Sequence, residues 1–161
     1  MPASSPMFDF SKPGKLEPVG IRQSADRPGN VKMSDRNAAP GLKIAVLLGG
    51  GSLQIYDIAD PATPVKAATF RTPGARAQDA ALQGRLAFVA DGASGLQVVD
   101  LGTPSKPRIV GAFKTTMPAR AVAAANTWVL VAVGTVEEGP AGSSIADEGQ
   151  VLILEHRLHA Q

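Results

Sequence analysis

Two stretches of the chain carry nearly the same alternation of apolar and polar positions. SLQIYDIADPATPV begins at Ser52, and GLQVVDLGTPSKPR begins at Gly95, 43 residues later. In each stretch, apolar side chains alternate with mixed ones over about five residues, which is the period of a β-strand. Asp57 or Asp100 then ends the strand, and prolines four and seven residues further on fix an extended loop. The pattern therefore predicts a strand, a turn and a second strand in both places.

Fainter copies of this phrase lie near both ends of the chain. FDFSKPGKLEPVG supplies an aspartate, a proline and a glycine at the same offsets, namely Asp9, Pro13 and Gly20. GQVLILE has Glu155 at the aspartate position. A residue that recurs once per copy most simply has a structural role. Successive copies of a repeat keep such carboxylates too far apart for acid/base catalysis. We therefore expect the repeated aspartates to support turns.

The 43-residue unit as a whole predicts four short strands, at 77–82, 85–90, 95–101 and 108–114. QG at 83–84 and DGASG at 91–95 are typical of tight hairpin turns. GGGSL at 49–53 aligns with DGASG and is interpreted as the same turn, since no Lys-Ser/Thr pair follows it as in a phosphate-binding loop. Four antiparallel strands in a repeat of this length form one blade of a β-propeller, and blades stack to cover one another. The predicted fold is all-β.

The run RLAFVADGASGLQVVDLGTPSKPRIVGAF resembles an LVIVD repeat, a module of bacterial and archaeal proteins that are often surface-associated. The resemblance extends from Asp9 to about Glu155 and is strongest from Leu53 to Phe113. It implies β-propeller blades and a periplasmic or cell-surface location, but no particular activity, since the family has no agreed biochemical role. WD40 and kelch repeats fit less well, because their Trp-Asp pair and double-Gly motif are missing at the matching positions.

The copies predict a single repeat domain over residues 1–161 with about three blades. Its parts are the last strands of one blade and the start of the next (7–34), the remainder of that blade (42–74), a full blade (75–115), a partial blade with a long loop at 134–149 (119–155), and a tail (156–161). Fewer than four blades do not close a ring. We therefore expect another chain or a second copy to complete the propeller, with a solitary open arc as the third alternative.

Composition narrows the classes of function. Sixteen basic against fourteen acidic residues give a net charge of +2, and the basic residues are scattered, which disfavours nucleic-acid binding. The absence of cysteine excludes disulfides, thiolate metal sites and covalent haem attachment through C-x-x-C-H. No apolar run approaches the roughly 20 residues of a membrane span. The start MPASSPMFDF lacks the pattern of an export signal, so we expect either a cytoplasmic chain or one whose leader was removed.

Three arginines are candidate ligand-binding residues. Arg27, Arg76 and Arg120 each lie beside a Pro or Gly turn where the chain enters an innermost strand. If they converge on the propeller axis, their guanidinium groups would hold a carboxylate, sulfate or phosphate. The alternative is that each lies against its sheet with its charged end in water.

An acidic segment is a candidate metal site. GTVEEGPAGSSIADEG, at 134–149, carries Glu137, Glu138, Asp147 and Glu148 and no basic residue. These side chains could bind Ca²⁺ or a basic partner. The alternative is a solvated hairpin extension, because the regular acid spacing of a Ca²⁺ loop is absent.

The remaining signals disfavour catalysis. His156 and His159 have a spacing that could bind a metal on a helix, but they lie at the chain terminus, where a structural or disordered tail is the simpler interpretation. A G-x-S-x-G motif is absent, and we predict no catalytic residues, no enzyme activity and no cofactor apart from Ca²⁺. The leading prediction is a non-catalytic scaffold or recognition module for protein–protein interaction. The alternatives are a ligand-binding or enzymatic propeller that uses the arginines and the acidic loop, and an accessory subunit of an electron-transfer assembly.

Overall fold

The computed structural model describes residues 3–9, 17–24, 31–33, 42–138 and 144–156, with side chains described for 31–32, 42–135 and 149–156. The regular structure of these residues is β throughout. Its strands are β1 (Ala3–Asp9), β2 (Glu17–Ser24), β3 (Val31–Met33), β4 (Ile44–Gly49), β5 (Ser52–Asp57), β6 (Val65–Arg71), β7 (Asp79–Gln83), β8 (Leu86–Ala90), β9 (Leu96–Asp100), β10 (Arg108–Phe113), β11 (Ala119–Ala125), β12 (Trp128–Glu138) and β13 (Ser144–Glu155). A helix that could span a membrane does not occur in the described ranges.

The strands form antiparallel sheets whose members follow one another in sequence. β1 and β2 form a pair, β3 to β6 form sheet I, β7 to β10 form sheet II, and β11 to β13 form sheet III. Sheets I and II confirm the prediction of an all-β fold with four-stranded antiparallel blades. The strands of sheet II begin and end within two residues of their predicted positions. Sheet III has three strands within the described part of the chain.

The repeated phrase builds the same β-bulge in three places. In sheet II, Val98 pairs with Gly111 and Val99 with Ile109, so Val110 is the extra residue. The register shifts at the equivalent points of the β5–β6 and β1–β2 pairs. The small residue of each copy, Gly20, Ala68 or Gly111, lies at this bulge. A Cβ added to Gly111 would meet Val98 of its own sheet at 3.6 Å, so the small residue marks the bulge.

The aspartates that end the third strands hold the turns that follow them. Asp57 Oδ1 accepts a hydrogen bond from the Ala59 N–H, and Asp100 Oδ1 accepts one from the Gly102 N–H, both at 2.9 Å. Their predicted role as fold residues is confirmed in these two copies.

The sheets stack face to face, and each buries aliphatic side chains against the next. One core joins Ile44, Val46, Leu48, Leu53 and Ile55 of sheet I to Ala80, Ala87, Val89, Val99 and Leu101 in and after sheet II. A second core joins Leu86, Phe88, Ala90 and Leu96 of sheet II to Ala119, Val122, Val129, Val131 and Val133 of sheet III. We call the side of a sheet that faces the following sheet its leading face, and the opposite side its trailing face.

The middle of sheet II contributes to both cores. Phe88 and Val89 are neighbours in β8, and because successive side chains of a strand point to opposite faces, each enters a different core. Their exposed fractions are 2% and 0%. The first strands of the three sheets, β3, β7 and β11, lie next to one another. This is the stacking order of adjacent propeller blades.

Candidate functional site

The contact between the innermost strands is held by one carboxylate. Asp79, at the start of β7, accepts a hydrogen bond at Oδ2 from the backbone N–H of Val122 in β11, at 3.0 Å. Its Oδ1 lies 3.0 Å from Lys32 Nζ in β3. The side chain of Asp79 is 13% exposed, so this ion pair and hydrogen bond join three sheets in a largely desolvated setting.

Two of the three candidate arginines lie near a shared neighbour, Gln78. Arg120 donates from Nε to the Gly134 carbonyl at 3.1 Å and from Nη1 to Gln78 Oε1 at 3.4 Å. Arg76 is exposed. A Cβ added to Gly92 would lie 3.5 Å from Arg76 Cβ and 3.9 Å from Gln78 Nε2, which places both side chains beside this turn.

The arginines thus have different surroundings. The Arg120 guanidinium is engaged by the fold, whereas Arg76 is an exposed residue beside the same turn. Arg27 lies outside the described residues.

The DGASG turn is held by a fully buried carboxylate, Asp91. Its Oδ1 accepts hydrogen bonds from Thr72 Oγ1 at 2.5 Å and from the Arg76 N–H at 3.2 Å, and its Oδ2 accepts one from the Gly74 N–H at 2.7 Å. All three donors belong to the connection from sheet I to sheet II. The next residue, Gly92, pairs with Ala119 at the start of β11. One turn of sheet II therefore fixes both of its connections to neighbouring sheets.

The acidic segment is part of a long hairpin. β12 runs to Glu138 and β13 begins at Ser144, so the backbone of the four candidate metal ligands lies within these two strands. Thr135 pairs with Glu148, and Glu137 pairs with Ile145. The side chains of Glu137, Glu138, Asp147 and Glu148 lie outside those that the structure describes, so the Ca²⁺ site stays a prediction. Its test is a thermal melt with Ca²⁺ and with EDTA, since binding to the folded state alone raises the midpoint.

His156 packs against sheet II. Its Nε2 lies 3.0 Å from Gln83 Oε1, its ring centroid lies 5.1 Å from that of Phe88, and its backbone N–H donates to the Thr127 carbonyl at 2.8 Å. These contacts favour the structural interpretation over a disordered tail at this residue. His159 lies outside the described residues. Among the side chains that are described, no three His, Asp or Glu residues form a metal-binding group.

Asp100 is the described carboxylate with the most charged surroundings. Burial raises the pKa of Asp100, but several opposite effects outweigh burial and leave the pKa below its ordinary value. They are the hydrogen bonds from the Gly102 N–H and Arg108 and the positive charges of Arg85 and Arg108. Arg85 Nε lies 3.4 Å from Oδ1 and Arg108 Nη2 lies 3.1 Å from Oδ2. Asp100 is therefore a structural anion whose lowered pKa keeps it ionised further into acid than an ordinary aspartate.

Sequence reasoning missed the inter-sheet roles of Asp79, Gln78, Lys32 and Asp91. Asp91 carried a signal, because it opens the DGASG turn that the repeat alignment had singled out. Asp79 carried none of this kind. Its partner Val122 is 43 residues away, and their contact depends on how two sheets stack.

Comparisons with known proteins agree with this architecture. The LVIVD repeat profile matches residues 74–115, which span sheet II and the connection before it. A solved structure from Desulfotomaculum acetoxidans, described as a functionally unknown protein, superposes with a TM-score of 0.60 at 12% sequence identity. The superposition covers 83% of this chain and 45% of that one, so this chain spans less than half of its length. Similarity at this level of identity shows a shared fold only. A search of curated proteins found no match.

The resemblance inferred from the repeated phrase is thus confirmed by an independent match over one complete copy. Residues 74–115 match the LVIVD repeat model, and they lie within a propeller-like arrangement of stacked antiparallel sheets.

Proposed function

We propose that this chain is a non-catalytic scaffold or recognition module that works through protein–protein contacts. The observation that carries the proposal is a contrast between polar side chains, which the fold engages, and apolar side chains, which are exposed. Three polar side chains are engaged by neighbouring sheets and connections. Asp79 accepts a hydrogen bond from the Val122 N–H and Asp91 from the Gly74 N–H, and Arg120 donates to Gln78. Large apolar side chains, by contrast, are exposed on sheet III, and such a patch is typical of an interaction surface.

The proposal is tested by isolating the tagged chain from cells of its source organism after mild crosslinking. A scaffold is expected to co-purify with a protein partner at fixed stoichiometry, while the purified chain alone turns over none of a panel of small substrates. Turnover of a substrate by the isolated chain would contradict the proposal. A periplasmic or cell-surface location is part of the proposal, and it is supported by the LVIVD resemblance alone.

Anion binding at the inner strands is a second candidate function. It is favoured by the exposed residue Arg76, which lies beside the same turn as Gln78, the partner of Arg120. Sulfate, phosphate or citrate would then raise the thermal midpoint, and Arg76→Ala would abolish the rise. Arg71→Ala, which removes another exposed arginine, serves as the control. Equal shifts in both variants would exclude a specific site at Arg76. The role of an electron-transfer accessory subunit stays a prediction from the resemblance.

A further inference from the structure

The leading face of sheet III is apolar and open to solvent. Strands β12 and β13 present Trp128, Leu130, Val151 and Ile153, with exposed fractions of 49%, 39%, 63% and 65%. β11 adds Ala121, Ala123 and Ala125, which are also exposed. These side chains are adjacent in register, because Ala123 pairs with Leu130 and Leu130 pairs with Ile153. The face is therefore one continuous patch.

The register of the sheets shows that this face corresponds to buried faces elsewhere. In sheet III, Leu130 pairs with Ile153, and two residues away along the strands Trp128 pairs with Glu155. In sheet II the corresponding pairs are Phe88 with Val98 and Leu86 with Asp100, and in sheet I they are Val46 with Ile55 and Ile44 with Asp57. Phe88 and Val46 are 2% and 0% exposed, because the next sheet covers them. Leu130 occupies the same place in its sheet without that cover.

The trailing faces, which cover leading faces inside the chain, are buried at their centres. The trailing face of sheet I buries Leu47, Tyr56 and Ile58, with exposed fractions of 5%, 8% and 7%. Those of sheets II and III lie in the two cores between sheets, with Val89 and Val131 at their centres. A second copy therefore has none of these faces to offer. Within the part of the chain whose side chains are described, the continuous apolar face that a second copy leaves open is the leading face of its own sheet III.

We propose that the leading face of sheet III is a self-association surface that docks on the same face of a second copy. This inference rests on the proposed function and names one partner for it. A face that contacts itself across a two-fold axis closes at two copies, so the assembly does not grow further. Sheets that pack face to face align their strands to within about 30°.

The arrangement of side chains favours a two-fold axis that runs along the strands. Such an axis exchanges the two sides of the sheet, so β11 of one copy lies over β13 of the other. The row of small residues at Ala121, Ala123 and Ala125 then receives the larger Val151 and Ile153 of the partner copy. Both copies gain the same fit. Because the patch covers three strands, we expect a dimer that dissociates on dilution.

The test is sedimentation velocity of the purified chain over a concentration series, with Leu130→Glu as the diagnostic variant. The unaltered chain is expected to form a two-chain species whose fraction falls on dilution. Leu130→Glu places a charge in the interface twice, once from each copy, and should weaken association at least tenfold. Ile109→Glu is the matched control, because Ile109 is 41% exposed on sheet II against 39% for Leu130, and it should leave the dimer intact.

Several results would overturn the proposal. They are a single-chain species at every concentration, an assembly larger than two, or a Leu130→Glu dimer as strong as the original. If Leu130→Glu fails to fold by circular dichroism, Ile153→Arg replaces it, because that side chain is 65% exposed. A chain that is monomeric when pure, yet binds a different protein in its own cells, would contradict self-association and leave the scaffold role standing. Substrate turnover by an intact dimer would contradict the scaffold role and leave self-association standing.

Discussion

Asp91 shows how one buried side chain can join a turn to a connection from the previous sheet. Its carboxylate is fully buried and accepts hydrogen bonds from Thr72, Gly74 and Arg76. Replacing it by alanine would leave buried donors unpaired, which costs about 3 kcal/mol of unfolding free energy for a charged acceptor of this kind. We expect urea denaturation of Asp91→Ala to show a loss of that order. Asp57→Ala, which removes an exposed turn carboxylate, should cost clearly less, and equal losses would contradict the role given to Asp91.

Asp100 links stability to pH. Its pKa lies below the ordinary value because the Gly102 N–H, Arg108 and Arg85 together outweigh the opposite effect of burial. A depressed folded-state pKa gives stability that is complete above the unfolded pKa, about 3.9, and is lost as pH falls through the folded value. We expect the unfolding free energy to decline in that acidic window, and Asp100→Asn to make the decline shallower. Asp60, whose pKa is lowered chiefly by the Thr63 hydroxyl, contributes in the same direction. The quantity to measure is therefore the difference in unfolding free energy between the unaltered chain and Asp100→Asn at each pH.

The hairpin turns of sheet II separate two effects of adding a side chain to glycine. Gly84 and Gly95 both have positive φ, at 57° and 77°. A Cβ on Gly84 meets nothing within 4 Å, whereas one on Gly95 would lie 2.3 Å from the Phe113 carbonyl oxygen. Gly84→Ala should therefore cost only the left-handed backbone penalty, roughly 1 kcal/mol. Gly95→Ala must also move the end of β10, and denaturant melts should show a larger loss. Similar losses in the two variants would mean that this strand end yields freely.

The strands were predictable because their signals are local. Alternation and turn residues predicted β7 to β10 to within two residues, and the aspartate-proline phrase identified the turns after Asp57 and Asp100. The pairing of Asp79 with Lys32 and Val122 was not predictable, because it joins three copies of the repeat through their stacking. The alanine-rich start of sheet III gave no sign of which side would be covered. Whether Leu130 is exposed depends on which sheets pack against sheet III, and the alternation of residues within β12 does not indicate this.

A stack of sheets is stabilised mainly by contacts between neighbours, so sheets with different numbers of covered faces should differ in local stability. Sheet II is covered on both sides, and every residue of β8 is buried. Sheet III is covered on its trailing face, while Leu130 and Ile153 on the other face are exposed. This asymmetry predicts an order of local opening along the chain.

Amide hydrogen exchange followed by mass spectrometry would measure that order. Opening a strand that is packed on both faces disrupts two cores, so β8 should exchange slowest, near the rate set by global unfolding. β12, also a central strand but packed on one face, should exchange faster in dilute protein and slow down as association covers Leu130. Leu130→Glu should remove this dependence on concentration in β12 and leave β8 unchanged. Equal protection of β8 and β12 in the dilute chain would show that the sheets open as one unit, and the nearest-neighbour account of their stability would then be wrong.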